Sequence, residues 1–118
     1  MRSGKVRLWL NGHTHGENHD YANFGTHFIE NGAGGGIQSQ ASGVPPGHLK
    51  ELRNIWVGAD DPNGFFVLKV NKEHIRVEFT TFDSEWDFSK NYEATKVGGG
   101  KVRHCWKIPK GLGAGEPC

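Results

Sequence analysis

Long apolar runs are missing from this chain of 118 residues. No stretch approaches the roughly 20 residues that a membrane-spanning helix requires. Nothing behind Met1 has the apolar core of a signal peptide either, because Lys5 leads straight into a strand-like segment. That leaves two expectations, a cytosolic chain or one that has lost a preceding segment, and the motif content described below favours the second. An excess of one charge is missing too. Fourteen Lys and Arg against thirteen Asp and Glu give a net charge of +1, and the basic residues are scattered. No electrostatic surface for nucleic acid or an anionic membrane is implied. Cysteine is scarce, with only Cys105 and Cys118, both near the end. A bridge between them would close a short loop and pin the tail. Two free thiols fit the sequence equally well, so the pair does not report the compartment.

What is present is glycine and aromatic surface. Eighteen glycines, 11% aromatics and 35% hydrophobic residues describe a loop-rich globular piece with a thin core. Residues 6–10 read as a short buried strand that runs into the Asn11-Gly12 turn. A polar, histidine-rich loop is expected from His13 to about Gly25. Residues 26–30 read as a second strand, halted by glycines from Gly32 to Gly36. Residues 38–64 read as a long excursion with at most one helical turn, near 49–53. The clearest signal is a β-hairpin, with arms at 65–70 and 74–82. Its second arm alternates Ile75, Val77 and Phe79 on one side against Arg76, Glu78 and Thr80 on the other. Two strands alone are marginal, so the hairpin requires a sheet to rest on. The expected organisation is a folded part over residues 1–88 and a Gly-rich, weakly ordered tail over 89–118.

The chemistry-bearing segment is Asn11-Gly12-His13-Thr14-His15. Histidines spaced i, i+2 on extended backbone project to one side, with Cα atoms roughly 6–7 Å apart. Two such rings can converge on one ion, or each can serve one ion of a pair about 3.5–4 Å apart. Gly12 lets the backbone turn tightly at the strand end. Imidazole suits zinc, iron and manganese alike, so the donors do not select the metal. On the motif alone, two surface histidines on a turn remain the alternative.

The wider context resembles the purple (tartrate-resistant) acid phosphatases of the calcineurin-like metallophosphoesterase superfamily. The resemblance runs through Leu8-Trp9-Leu10-Asn11-Gly12-His13-Thr14-His15 and Thr26-His27-Phe28-Ile29-Glu30-Asn31-Gly32-Ala33-Gly34-Gly35. It continues more loosely through Asn63-Gly64-Phe65-Phe66-Val67-Leu68, covering about two-thirds of the chain. It implies a β-rich α+β piece, the C-terminal strands of an αββα sandwich, incomplete by itself and with sheet edges open to self-association. It implies that His13 binds the divalent ion and His15 the ferric ion of a dinuclear centre, iron with zinc, manganese or a second iron. It also implies a phosphomonoester substrate and a secreted enzyme.

The family's other ligand motifs, Gly-Asp-x-x-Tyr and Gly-Asn-His, do not occur here. The expectation is therefore a C-terminal fragment of an acid phosphatase, inactive alone because two imidazoles hold a metal only weakly. The alternative is a non-catalytic secreted binding protein derived from a phosphatase tail. His19 and Asp20 follow the motif closely enough for His19 to be a candidate substrate contact. His27 reads as structural, and His48, His74 and His104 as residues of loops or of an exposed strand face. The glycines from Gly32 lack the Lys-Ser/Thr of a phosphate loop and read as a sharp turn beneath the histidine loop. Trp86, Phe88, Tyr92 and Trp106 read as packing against a core.

Overall fold

The structure is a computed structural model that describes residues 5–32, 34, 50–58, 64–81 and 101–118. Among the described residues there are strands and turns and no helix. The chain runs β1 (Leu8–Asn11), β2 (Glu17–Ala22), β3 (His27–Asn31), β4 (Leu52–Val57), β5 (Gly64–Val70), β6 (His74–Thr81), β7 (Lys101–Pro109) and β8 (Glu116–Pro117). They form two four-stranded sheets, ordered β1-β3-β2-β4 and β5-β6-β7-β8. The β-rich expectation is met at that level.

The hairpin of β5 and β6 forms as its alternation predicts, in register from Gly64 opposite Thr81 to Val70 opposite Ile75. Its turn is fixed by one side chain. The Asn71 carboxamide oxygen accepts from the backbone N–H of Glu73 at 2.8 Å and of His74 at 2.9 Å, an Asx turn of the kind asparagine favours. The sheet that the hairpin requires is completed by β7, antiparallel to β6 from His74 opposite Pro109 to Thr81 opposite Lys101.

Three expectations are corrected. The segment from His13 to Gly25 is not all loop, because Glu17–Ala22 forms β2 and pairs antiparallel with β3. A tight turn joins them, with Gly25 at φ 95°, a conformation that glycine adopts without a Cβ penalty. Residues 50–51 make a turn and Leu52–Val57 is a strand against β2, not a helical turn. The end of the chain is tied down where weak order was expected. Lys101–Pro109 is a nine-residue strand, and Cys105 is bonded to Cys118, which settles the open question of the bridge. The region around residue 88, His48, Trp86, Phe88 and Tyr92 lie outside the described residues.

The sheets pack face to face. Ile29 of β3 meets Val77 of β6 and Ile108 of β7, all fully buried, with Leu8, Phe66, Leu68, Ile75 and Trp106 around them. Burying each such aliphatic side chain stabilises by about 1.5–3 kcal/mol. A second part of the interior is aromatic: Trp56 of β4 packs against Phe66 and Phe79 with ring centroids 6.1 and 5.1 Å away. The core is thin, as the composition implies.

Candidate metal centre

The backbone from Gly12 to Gly16 leaves β1 and folds over the end of β3. Two non-glycine residues of this loop have positive φ, His13 at 152° and His15 at 59°. The second is a left-handed conformation that costs an L-residue roughly 1–2 kcal/mol. Such strain persists only where neighbours enforce it, and it concentrates at functional positions. The enforcing neighbour is Glu30. Its buried carboxylate accepts from the Thr14 backbone N–H at 3.2 Å and from the Asn11 carboxamide. One anion on β3 thus grips the loop on both sides of His13. Gly32 completes the fit: its N–H donates to Gly16 O at 2.9 Å. A Cβ on Gly32 would lie 2.8 Å from the His15 nitrogen and 2.8 Å from a Glu30 carboxylate oxygen. Of the glycine run that the sequence reads as a sharp turn beneath the histidine loop, only Gly32 and Gly34 are described, and Gly32 is the one that touches the loop.

Both motif rings stand on the surface, His13 and His15 being exposed. Beside them an open pocket of about 340 Å³ is lined by Leu10, Asn11, Gly12, Asn31, Phe66 and Leu68, apolar at its back and polar at the loop. The fit to a metal is partial. Two exposed imidazoles stand on this loop, but among the described residues no group of three or more His, Cys, Asp or Glu side chains could hold an ion. Asn11 donates to Glu30 through its carboxamide NH₂ group.

His19 is placed elsewhere. Alternation along β2 turns its ring inward, where it is fully buried and out of reach of a surface substrate. There it joins His27, which the sequence presents as structural, and His104, expected in a loop or on an exposed face. His19 Nδ1 lies 2.9 Å from His104 Nε2, and His19 Nε2 lies 2.8 Å from His27 Nδ1. His104 is thus a buried residue of β7, not one of a loop or an exposed face. The chain of three rings is walled by aromatics. Trp56 stacks on His104 at 4.8 Å, and Trp106 meets His19 edge-on at 6.0 Å. Burial disfavours the charged ring. It lowers His19 to about 2, helped by its two histidine neighbours and Arg53, and lowers His27 to about 4, helped by Arg7 and Arg53. His104 is lowered to about 4 by burial. Asp20, on the opposite face of β2, is raised by burial although Asn54 and Asn18 donate to it.

Neither Glu30 nor the histidine chain was picked out from the sequence. Glu30 sits in an apolar strand beside a glycine run, with no local pattern tying it to a loop 16 residues earlier. The histidines are separated by 8 and 85 positions, so only the strand pairing joins them. No family model, no curated protein and no solved structure matches this chain.

Proposed function

We propose that His13 and His15 are metal donors of a phosphomonoester hydrolase of the metallophosphoesterase kind, with this chain contributing the closing strands and the last two ligands of its centre. The observation that carries the reading is the loop itself. Two exposed histidines at i, i+2 lie at a strand end in positive-φ backbone conformations, on a loop that a buried carboxylate holds. A solvated turn has no need of that arrangement. A bound ion pair supplies activation of water and neutralisation of phosphoryl charge. The residues of this chain position it: His13 and His15 donate, Glu30 fixes the loop, and Asn11 and Gly12 border the pocket beside it. Two imidazoles leave most of the coordination shell to solvent, so the chain by itself binds metal weakly and turns over little or no substrate. The metal pair proposed is iron with zinc, manganese or iron, and the compartment is extracellular, where a bridge such as Cys105–Cys118 persists.

The test is hydrolysis of an aryl phosphate, from neutral to mildly acidic pH, by the purified chain supplied with iron, zinc or manganese. A His13→Ala, His15→Ala double variant is run beside it, with calorimetric titration of each metal. The expected result is weak metal binding that disappears in the double variant, with hydrolysis no higher in the wild type. Equal metal binding by both proteins would remove His13 and His15 from the site and overturn the reading. Turnover that depends on the two histidines would overturn the claim that the isolated chain is inactive.

A further inference from the structure

The geometry points to a second device, separate from the exposed loop. We propose that the His104–His19–His27 chain is an acid-sensitive latch between the two sheets, closed while the rings share their protons and opened when two more protons enter. His19 and His27 lie on β2 and β3 of one sheet, His104 on β7 of the other, so the His19–His104 hydrogen bond crosses the interface.

Proton counting gives the latch its threshold. Three neutral imidazoles carry three ring protons. Two occupy the two N···N contacts, and the third sits at an end of the chain, on His27 Nε2 or His104 Nδ1. A fourth proton can be placed without breaking either contact, with His19 donating to both neighbours. The charge then sits in an aromatic box, and the His27 Nε2–H it requires is buried with no acceptor. A fifth proton sets two N–H groups against each other at one contact, and that contact is lost. Where it is His19–His104, the sheets lose a buried tie.

Among the described residues, the charges that act on these rings are those of arginines and of the rings themselves. Glu17 shares the inward face of β2, and Tyr21 beyond it packs on His27 at 4.8 Å. β4 presents Arg53 and Trp56, and Arg7 precedes β1; both arginines oppose protonation of His27. β5 and β6 present Phe66 and Phe79 through the Trp56 cluster, and β7 adds Trp106. Glu30 and Glu78 are not among the charges that act on these rings. The sign follows directly. The folded-state values lie below the ordinary 6.5, so the unfolded chain binds more protons. Stability is complete above that value and falls as pH drops through it toward about 4, where His27 and His104 charge in the folded state too.

The test is urea unfolding of the whole oxidised chain between pH 7 and pH 5, a window above most carboxylate titration. The wild type, His19→Gln and His104→Gln are compared. Glutamine keeps a donor and an acceptor but cannot charge. The unfolding constant of the wild type should rise roughly tenfold per pH unit below 6.5 for each proton taken up, and each variant should lose about one proton of that slope. A wild-type midpoint flat over this window, or variants as steep as the wild type, would overturn the proposal. Should a variant not fold, ¹⁵N imidazole spectra of the wild type decide. Three rings must stay neutral at pH 5.5 in the folded protein and show couplings across two N–H···N bonds. Rings that charge near 6.5 without loss of the fold sink the latch.

Discussion

At the scale of single residues, the most consequential group is a carboxylate that holds no ligand. Glu30 restrains the histidine loop by accepting at Thr14 N–H and at the Asn11 carboxamide, while Gly32 leaves room for His15 to sit against it. Outer partners of metal ligands set how well those ligands are aimed. A Glu30→Gln substitution keeps the volume but turns one acceptor oxygen into an NH₂ group facing a donor. The mismatch should cost on the order of 1–3 kcal/mol in urea unfolding. If His13 and His15 hold a metal as proposed, it should also weaken zinc binding at the loop by roughly tenfold or more, read by calorimetric titration. Unchanged affinity alongside reduced stability would mean that Glu30 supports the strand end and not the histidines. This residue shows where sequence reading stops. The Asn11-Gly12-His13-Thr14-His15 segment stands out in the sequence because its pattern lies within five consecutive positions. Glu30 does not, because its role exists only once β1 and β3 pair in parallel, Asn11 opposite Glu30.

At the scale of elements, the readable strands are those whose inward faces are apolar. β6 turns Ile75, Val77 and Phe79 inward and was evident at once. β2 alternates equally well, but its inward residues are Glu17, His19 and Tyr21, so a period of two written in titratable side chains read as a polar loop. β7 hides the same pattern: His104, Trp106 and Ile108 alternate with Arg103, Cys105 and Lys107. The signal was available there, masked by the glycines on either side. β4 was missed because exposed Arg53 and Asn54 open it, and a bulge beside its partner, between His19 and Asp20, breaks the alternation. The β5 strand carries a prediction of its own. Gly64 starts it opposite Thr81, and a Cβ there would meet Thr80 O, lie 2.7 Å from the Phe79 ring and 3.0 Å from Thr81 Cα. Two of these three neighbours are backbone and cannot swing aside. Gly64→Ala should therefore destabilise by about 1–3 kcal/mol, as overpacking does. Near-UV circular dichroism should report a disturbed environment around Trp56, which packs on Phe79. A variant as stable as the wild type would show that the strand end yields freely.

At the scale of the whole molecule, two thin sheets depend on ties that run past the core. The segment after β7 crosses beneath the first sheet. Tyr21 donates to Leu112 O at 3.0 Å, and Arg7 donates to Pro109 O at 3.3 Å and Gly113 O at 3.1 Å. Trp106 holds the same segment through Ala114 O at 2.7 Å, and Cys118 is bonded back to Cys105 in the middle of β7. The last residues thus clamp the two layers. A bridge spanning 13 positions restricts the unfolded chain by an amount worth about 3 kcal/mol. That is a large fraction of the roughly 5–15 kcal/mol of a typical domain. Cys118→Ser, or reduction of the wild type, should lower the unfolding free energy by about that much and speed amide exchange at Leu112 and Gly113. Because the bridge acts mainly on the unfolded chain and does not titrate, its loss should displace the stability curve downward by a similar amount at pH 7 and pH 5. The histidine latch should tilt the curve instead. A Cys118→Ser, His104→Gln double variant separates the two. Additive effects, one an offset and the other a change of slope, mean that clamp and latch act independently on the same pair of sheets. An offset that grows as pH falls would mean that the terminal clamp is what keeps the protonated latch from opening.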